Sequence, residues 1–197
     1  MPLSDNLEPI DHGADGGADR EPELTVSRAE LLRAGSDHDF RTLVHNLLAF
    51  SAKLQEVRAA FGAYLGLSGI QYTVLITIAH LQDEHGVGVK RTAMHLSLSG
   101  AFVTVETNKL ATMGLLRKRP NPRDRRRVLL TVTDKGRALL RQLAPIQRQV
   151  NDALFAGLGT EDFDRLLALS GPLLGNAREA ASLVAHLTTS EQRRIPS

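Results

Sequence analysis

Residues 115–136, LLRKRPNPRDRRRVLLTVTDKG, join an alternating apolar run to a dense cluster of like charges, and few folds accommodate both. Between Arg117 and Arg127, the bases Arg117, Lys118, Arg119, Arg123, Arg125, Arg126 and Arg127 stand against a single acid, Asp124, a net charge of +6. Val128, Leu130 and Val132 alternate with Leu129 and Thr131, the period-two pattern of a strand with one covered face. Residues 115–119 read as its hairpin partner. Pro120-Asn121-Pro122 reads as the tip, where two prolines lacking N–H donors are expected to end the ladder. Such a tip repels itself unless an anion lies against it. Duplex DNA, with one negative charge per roughly 1.7 Å of axis, is the polyanion that suits it.

The rest of the chain reads as helices. From Phe40, apolar residues recur at three- and four-residue spacing through Leu43, Val44, Leu47, Leu54, Val57 and Phe61, which predicts a long helix with one buried stripe. Around 47–52 that helix is apolar almost all round, and a chain of this size encloses such a stretch most easily across a subunit boundary. Ser68 with Gln71 three residues on forms a capping box for a second helix, and Leu67 can staple onto Tyr72. Residues 89–96 predict a short third helix. Ser99 is the expected N-cap of a fourth, which runs to Met113 and ends at Gly114. After the hairpin, Thr133 caps a helix to about Phe155, expected to bend at Pro145, and Thr160 opens a last helix expected to kink at Gly171-Pro172.

Charge divides the chain. Residues 1–35 carry eight acids against three bases, a net of −5, so the remainder is +7 within a whole-chain net of +2. Residues 1–35 are therefore expected to be an acidic, largely disordered tail, apart from a short helix after Ser27 ending at Gly35. Two short helices followed by a strand, a basic loop and a second strand make a winged helix-turn-helix. The expected fold is mainly α with a small β-hairpin. A winged helix-turn-helix domain at 67–133 is embedded in an all-α dimerisation region formed by 36–66 and 134–190.

Three motifs in this order resemble the MarR family of bacterial transcription regulators, over the span from Phe40 to the final helix. Pro122-Arg123-Asp124-Arg125-Arg126, followed by Val128-Leu129-Leu130-Thr131-Val132-Thr133 and Gly136, is similar to that family's wing signature DxxDRR…LTxxG, with Asn121 in place of the first acid. Leu67-Ser68-Gly69-Ile70-Gln71-Tyr72 resembles the family's opening of helix two. The run from Asn108 to Leu116 resembles its DRLEARGLV segment. The resemblance implies a homodimer whose first and last helices interdigitate, with recognition helices about 34–36 Å apart on a pseudo-palindromic operator. It also implies repression relieved by a small ligand, often aromatic or anionic. An architectural DNA-binding protein without an effector is the alternative.

The recognition helix departs from the family pattern. Gly100, Ala101, Phe102, Val105 and Glu106 occupy places where members often carry Arg, Ser and Thr. Ser99, Thr104, Asn108 and Lys109 remain as polar candidates for the major groove, with Ala101 or Phe102 available to thymine methyls. Arg126 is the expected minor-groove side chain, with Asp124 orienting it by an ion pair, as the resembling motif implies. Lys118, Arg119, Arg123 and Arg125 are expected to meet phosphates, with Arg127 beside them. For the effector, the resemblance implies a cleft to which His45, Phe50, Ser51, Tyr64 and Tyr72 could contribute.

Other chemistries find no footing. The chain has no cysteine, so thiolate metal sites and thiol switches are excluded, and a cytoplasmic location is expected. His45, His80, His85 and His95 lack zinc-ligand spacing, and no nucleotide-binding loop, HExxH or GxSxG run occurs. The expectation is no enzyme, no metal, no cofactor and no membrane partner.

Overall fold

The computed structural model describes residues 23–192. The chain divides into two compact units, Met1–Val57 and Arg58–Ser197.

Most of the acidic tail lies outside the described residues. The part inside them is ordered by one carboxylate. Asp37, almost wholly buried, accepts hydrogen bonds from the Thr25 backbone N–H at 2.8 Å and its hydroxyl at 2.6 Å, and pairs with Arg41 at 2.9 Å. These contacts hold its pKa below the ordinary aspartate value, the Thr25 hydroxyl foremost. The helix expected after Ser27 is instead a three-residue 3-10 turn, Ala29–Leu31, which no side chain caps, followed by a tight turn through Gly35. Residues this few cannot repay helix nucleation on their own.

Helix α1, His38–Tyr64, begins in this unit and ends in the second. In the first unit its Leu43, Leu47 and Leu48 remain exposed.

The second unit holds the winged domain. Helix α2, Gly69–Leu81, starts from the expected capping box: Ser68 Oγ accepts from the Gln71 N–H at 3.2 Å, and Gln71 Oε1 accepts from the Ser68 N–H at 3.0 Å. Leu67 and Tyr72 are both buried, as a hydrophobic staple requires. Helices α3, Val89–Leu96, and α4, Gly100–Thr112, follow, the latter capped by Ser99. Leu75, Ile78, Val103, Leu110 and Leu130 from these helices and the sheet are fully buried and form the core.

The sheet has three strands rather than two. β1, Val87–Gly88, pairs antiparallel with β3, Asp124–Val132, which pairs with β2, Leu116–Asn121, in the order β1-β3-β2. A two-residue strand shows no alternation, so only the neighbouring Leu130 and Leu129 reveal it. The hairpin also reaches further than its prolines suggested. Pro120 pairs with Val128 and Asn121 with Asp124, the register shifting between Pro120 and Asn121. A proline is tolerated because β2 is an edge strand, where a missing N–H need not face a partner.

Helix α5, Asp134–Leu154, is capped by Thr133, whose hydroxyl also donates to the Gly114 carbonyl at 2.7 Å. It continues past Pro145 without interruption. Gly136 is required here by contact: a Cβ would lie 2.5 Å from the Leu115 carbonyl oxygen and 2.8 Å from a Val132 methyl, so α5 could not approach the hairpin as it does. Helix α6, Thr160–Gln192, likewise passes Pro172 and buries none of its described side chains. Arg178 ties it to the winged domain by donating to the Met94 carbonyl at 2.8 Å, near the C-terminal end of α3. No single helix among the described residues is long and apolar enough to cross a membrane.

Candidate nucleic-acid interface

Strand alternation sorts the wing's cations. Lys118 turns toward α4, where its ammonium donates to Asn108 Oδ1 at 2.5 Å and to the Thr107 hydroxyl at 3.4 Å. Partial burial there lowers its pKa from the ordinary lysine value. Lys118, expected at a phosphate, thus also braces α4 against the hairpin. Arg119 is exposed and lines a small recess with Arg117 and Arg137.

Arg126 and Arg127 border an open cleft of about 900 Å³ between α3, the start of α4 and the hairpin. Lys90, Arg91, Gly100, Thr104 and Lys118 also line it, over an apolar floor that includes Met94, Leu98 and Val128. Lys90 and Arg91 were not singled out from the sequence. Their signal was the short α3 itself, which offers them at its first turn.

The expected ion pair within the wing is replaced by another. Asp124 pairs with the Arg127 guanidinium at 3.0 Å, while from Arg126 it accepts only the backbone N–H, at 3.1 Å. The turn geometry explains this. Asn121 Oδ1 accepts the Arg123 N–H at 2.9 Å, closing the tip, and Asp124 opens β3 as the partner of Asn121. Arg126 is exposed without that carboxylate to hold it, and Arg123 and Arg125 are exposed at the tip.

On α4, Val103, Glu106, Thr107 and Leu110 face the core. Ser99, Ala101, Thr104, Asn108 and Lys109 are all exposed, as a reading surface needs. Several are already engaged. Ser99 Oγ accepts the Phe102 N–H at 3.1 Å, and the Thr104 hydroxyl donates to the Gly100 carbonyl at 2.8 Å. Lys109 reaches back to the buried Glu106 carboxylate at 2.7 Å. Glu106 had looked like a lost basic reader; its side chain points inward, with Lys109 supplying the charge partner that a buried carboxylate needs.

The effector candidates differ in access. In the first unit His45, Phe50 and Ser51 are exposed. In the second, Tyr64 is exposed, but Tyr72 is a core side chain set edge-on to Phe61 at 5.7 Å. Burial raises the Tyr72 pKa, an effect the nearby Arg58 opposes. The cleft beside the wing contains neither tyrosine. No group of three or more His, Cys, Asp or Glu side chains among the described residues could hold a metal ion.

No family model matches the chain. It is 27% identical over 146 residues to the transcriptional repressor MprA of Escherichia coli (strain K12), a match covering 72% of this chain and 82% of that one. Among solved structures, a mutant MarR from E. coli complexed with operator DNA aligns with a TM-score of 0.57 at 20% identity, covering 69% of this chain and 96% of that one. CouR from Rhodococcus jostii bound to p-coumaroyl-CoA aligns with a TM-score of 0.59 at 18% identity, covering 70% of this chain and 92% of that one. At such identities the structural likeness speaks for the winged-helix fold.

Proposed function

Because this chain belongs to the MarR family of winged helix-turn-helix transcription regulators, we propose that it is a repressor that binds a pseudo-palindromic operator as a homodimer and is released by a small aromatic or anionic ligand. The observation that carries the DNA-binding reading is the exposed face of α4 beside a cleft bordered by Lys90, Arg91, Arg126 and Arg127. A helix fits the major groove, and the cations of the cleft beside it meet the phosphates that flank the groove. Arg126, exposed and without a carboxylate partner of its own, is the side chain for the minor groove; Arg123 and Arg125 contact phosphates.

The dimer is supported by α6, whose Phe163, Leu166, Leu167, Leu173, Leu174, Val184 and Leu187 follow a three- and four-residue spacing on an exposed face. In the first unit, Leu43 and Leu47 of α1 present a second apolar surface. Both are covered by the twin subunit. For the effector, His45, Phe50, Ser51 and Tyr64 are accessible candidates, and the p-coumaroyl-CoA of CouR makes aromatic acids and their thioesters the class to try. The ligand acts by favouring a dimer conformation whose recognition helices no longer match the operator.

Footprinting on the DNA flanking the gene, with and without such ligands, tests the reading. A two-lobed footprint that disappears with one ligand supports it. Arg126→Ala is expected to weaken operator binding by roughly 10–100-fold in a mobility-shift assay while the dimer persists in gel filtration. Unchanged binding would remove Arg126 from the interface.

A further inference from the structure

The outward surface of α4 lacks a free cation, and what it carries instead has a pattern. With Val103, Glu106, Thr107 and Leu110 turned inward, a period of 3.6 residues sets Ala101, Val105, Asn108 and Thr112 on the opposite stripe. All four are exposed, and Val105 has half its surface open. The polar groups of this stripe and its flanks are restricted. The Thr104 hydroxyl is bonded to the Gly100 carbonyl, the Thr112 hydroxyl to the Asn108 carbonyl at 3.1 Å, and Lys109 to Glu106. Asn108 Oδ1 is held by Lys118.

The Lys118 contact fixes what Asn108 can say to a base. Asparagine reads adenine by accepting from its N6 amino group while donating to N7. Here an ammonium takes one of the two lone pairs of that oxygen, and its positive charge disfavours a second donor such as the adenine amino group. The Nδ2 donor is left the favoured group, and it matches an acceptor such as thymine O4 or a purine N7.

We propose that this stripe recognises thymine in the major groove, Val105 contacting the C5 methyl and Asn108 donating to an adjacent acceptor, with Lys118 setting the polarity of Asn108. The inference rests on the operator-binding reading above and deepens it by assigning the base. Charge complementarity selects the occupant: Thr104, beside Val105 on α4, and Lys118, which holds Asn108, line the cleft that Lys90, Arg91, Arg126 and Arg127 edge, so the apolar stripe lies on the helix that this positive cleft offers to a polyanion.

The test begins with duplexes selected from a random pool by the full-length protein. One thymine in each half-site is expected to be enriched. Replacing it by deoxyuridine removes only the methyl and is expected to weaken binding about fourfold per half-site. Val105→Ala is expected to bind the thymine and deoxyuridine duplexes equally. Lys118→Met, which frees Asn108 Oδ1, is expected to move the preference beside Asn108 toward adenine. Equal wild-type affinity for thymine and deoxyuridine, or a difference that survives Val105→Ala, overturns the methyl contact; an unchanged base preference in Lys118→Met overturns the role given to Asn108. These failures leave the regulator reading intact as long as the selected duplex still outcompetes random DNA. Failure to bind any duplex at low salt would remove that reading instead.

Discussion

Leu75, Ile78, Val103, Leu110 and Leu130 of the winged domain are fully buried, whereas Phe163, Leu166, Leu167, Leu173 and Leu174 of α6 each leave between 44% and 62% of their surface open. Both sets follow the periodicity of a covered face. The winged domain closes on itself because three helices and a sheet supply all the walls one small core needs. A single helix has no such walls, and in the proposed homodimer the twin subunit covers its apolar stripe from outside. On that proposal the same pattern makes a core in one region and an interface in the other.

Charging the open stripe is the harshest way to break this contrast. The double substitution Leu167→Arg with Leu174→Arg is expected to yield a monomer in analytical ultracentrifugation. Operator affinity should fall by about 10²–10⁴-fold, since two linked readers become one. If α6 were merely a solvent-facing arm, the dimer would survive. Leu130→Ala probes the closed side: a cavity in a sealed core is expected to cost about 2–5 kcal/mol in denaturant unfolding. The matching Leu167→Ala in the isolated subunit should cost far less, and equal losses would erase the distinction.

A gentler probe sits where the two regions meet. His95, on α3, lies 6.1 Å from the ring of His80 on α2, and Arg178 of α6 bonds to the neighbouring Met94 carbonyl. Loss of water around its ring, and then the positive fields of His80, Arg178 and Arg91, hold its pKa below the ordinary histidine value. The unfolded chain therefore binds the proton more strongly. The contribution to stability is complete above the ordinary histidine value and is lost as the pH falls through the lower, folded one. His95→Gln should flatten the dependence of thermal stability on pH between about 7 and about 5. A melting profile parallel to wild type would show that His95 has no part in it.

Features governed by neighbours in the chain were legible from the sequence. Ser68, Ser99 and Thr133 act as caps, α3 spans Val89–Leu96 as read, and the wing rises between α4 and α5. Features governed by pairing across the fold were misread or missed. Asp124 looked like the partner of Arg126, two residues away, but the register shift at Asn121 gives it to Arg127. The contact of Lys118 with Asn108, ten residues back and on another element, left no trace in the sequence.

The sequence alone determined where the capped helices begin, how their apolar faces repeat and where positive charge gathers, because each depends on residues within a turn or two of one another. Only the tertiary structure decided which of those charges are free. Whether a lysine or arginine can face an outside anion depends on the carboxylates and carbonyls that folding brings beside it, and on the water that folding removes. Glu106, Asn108 and Asp124 are the groups that settle this for Lys109, Lys118 and Arg127.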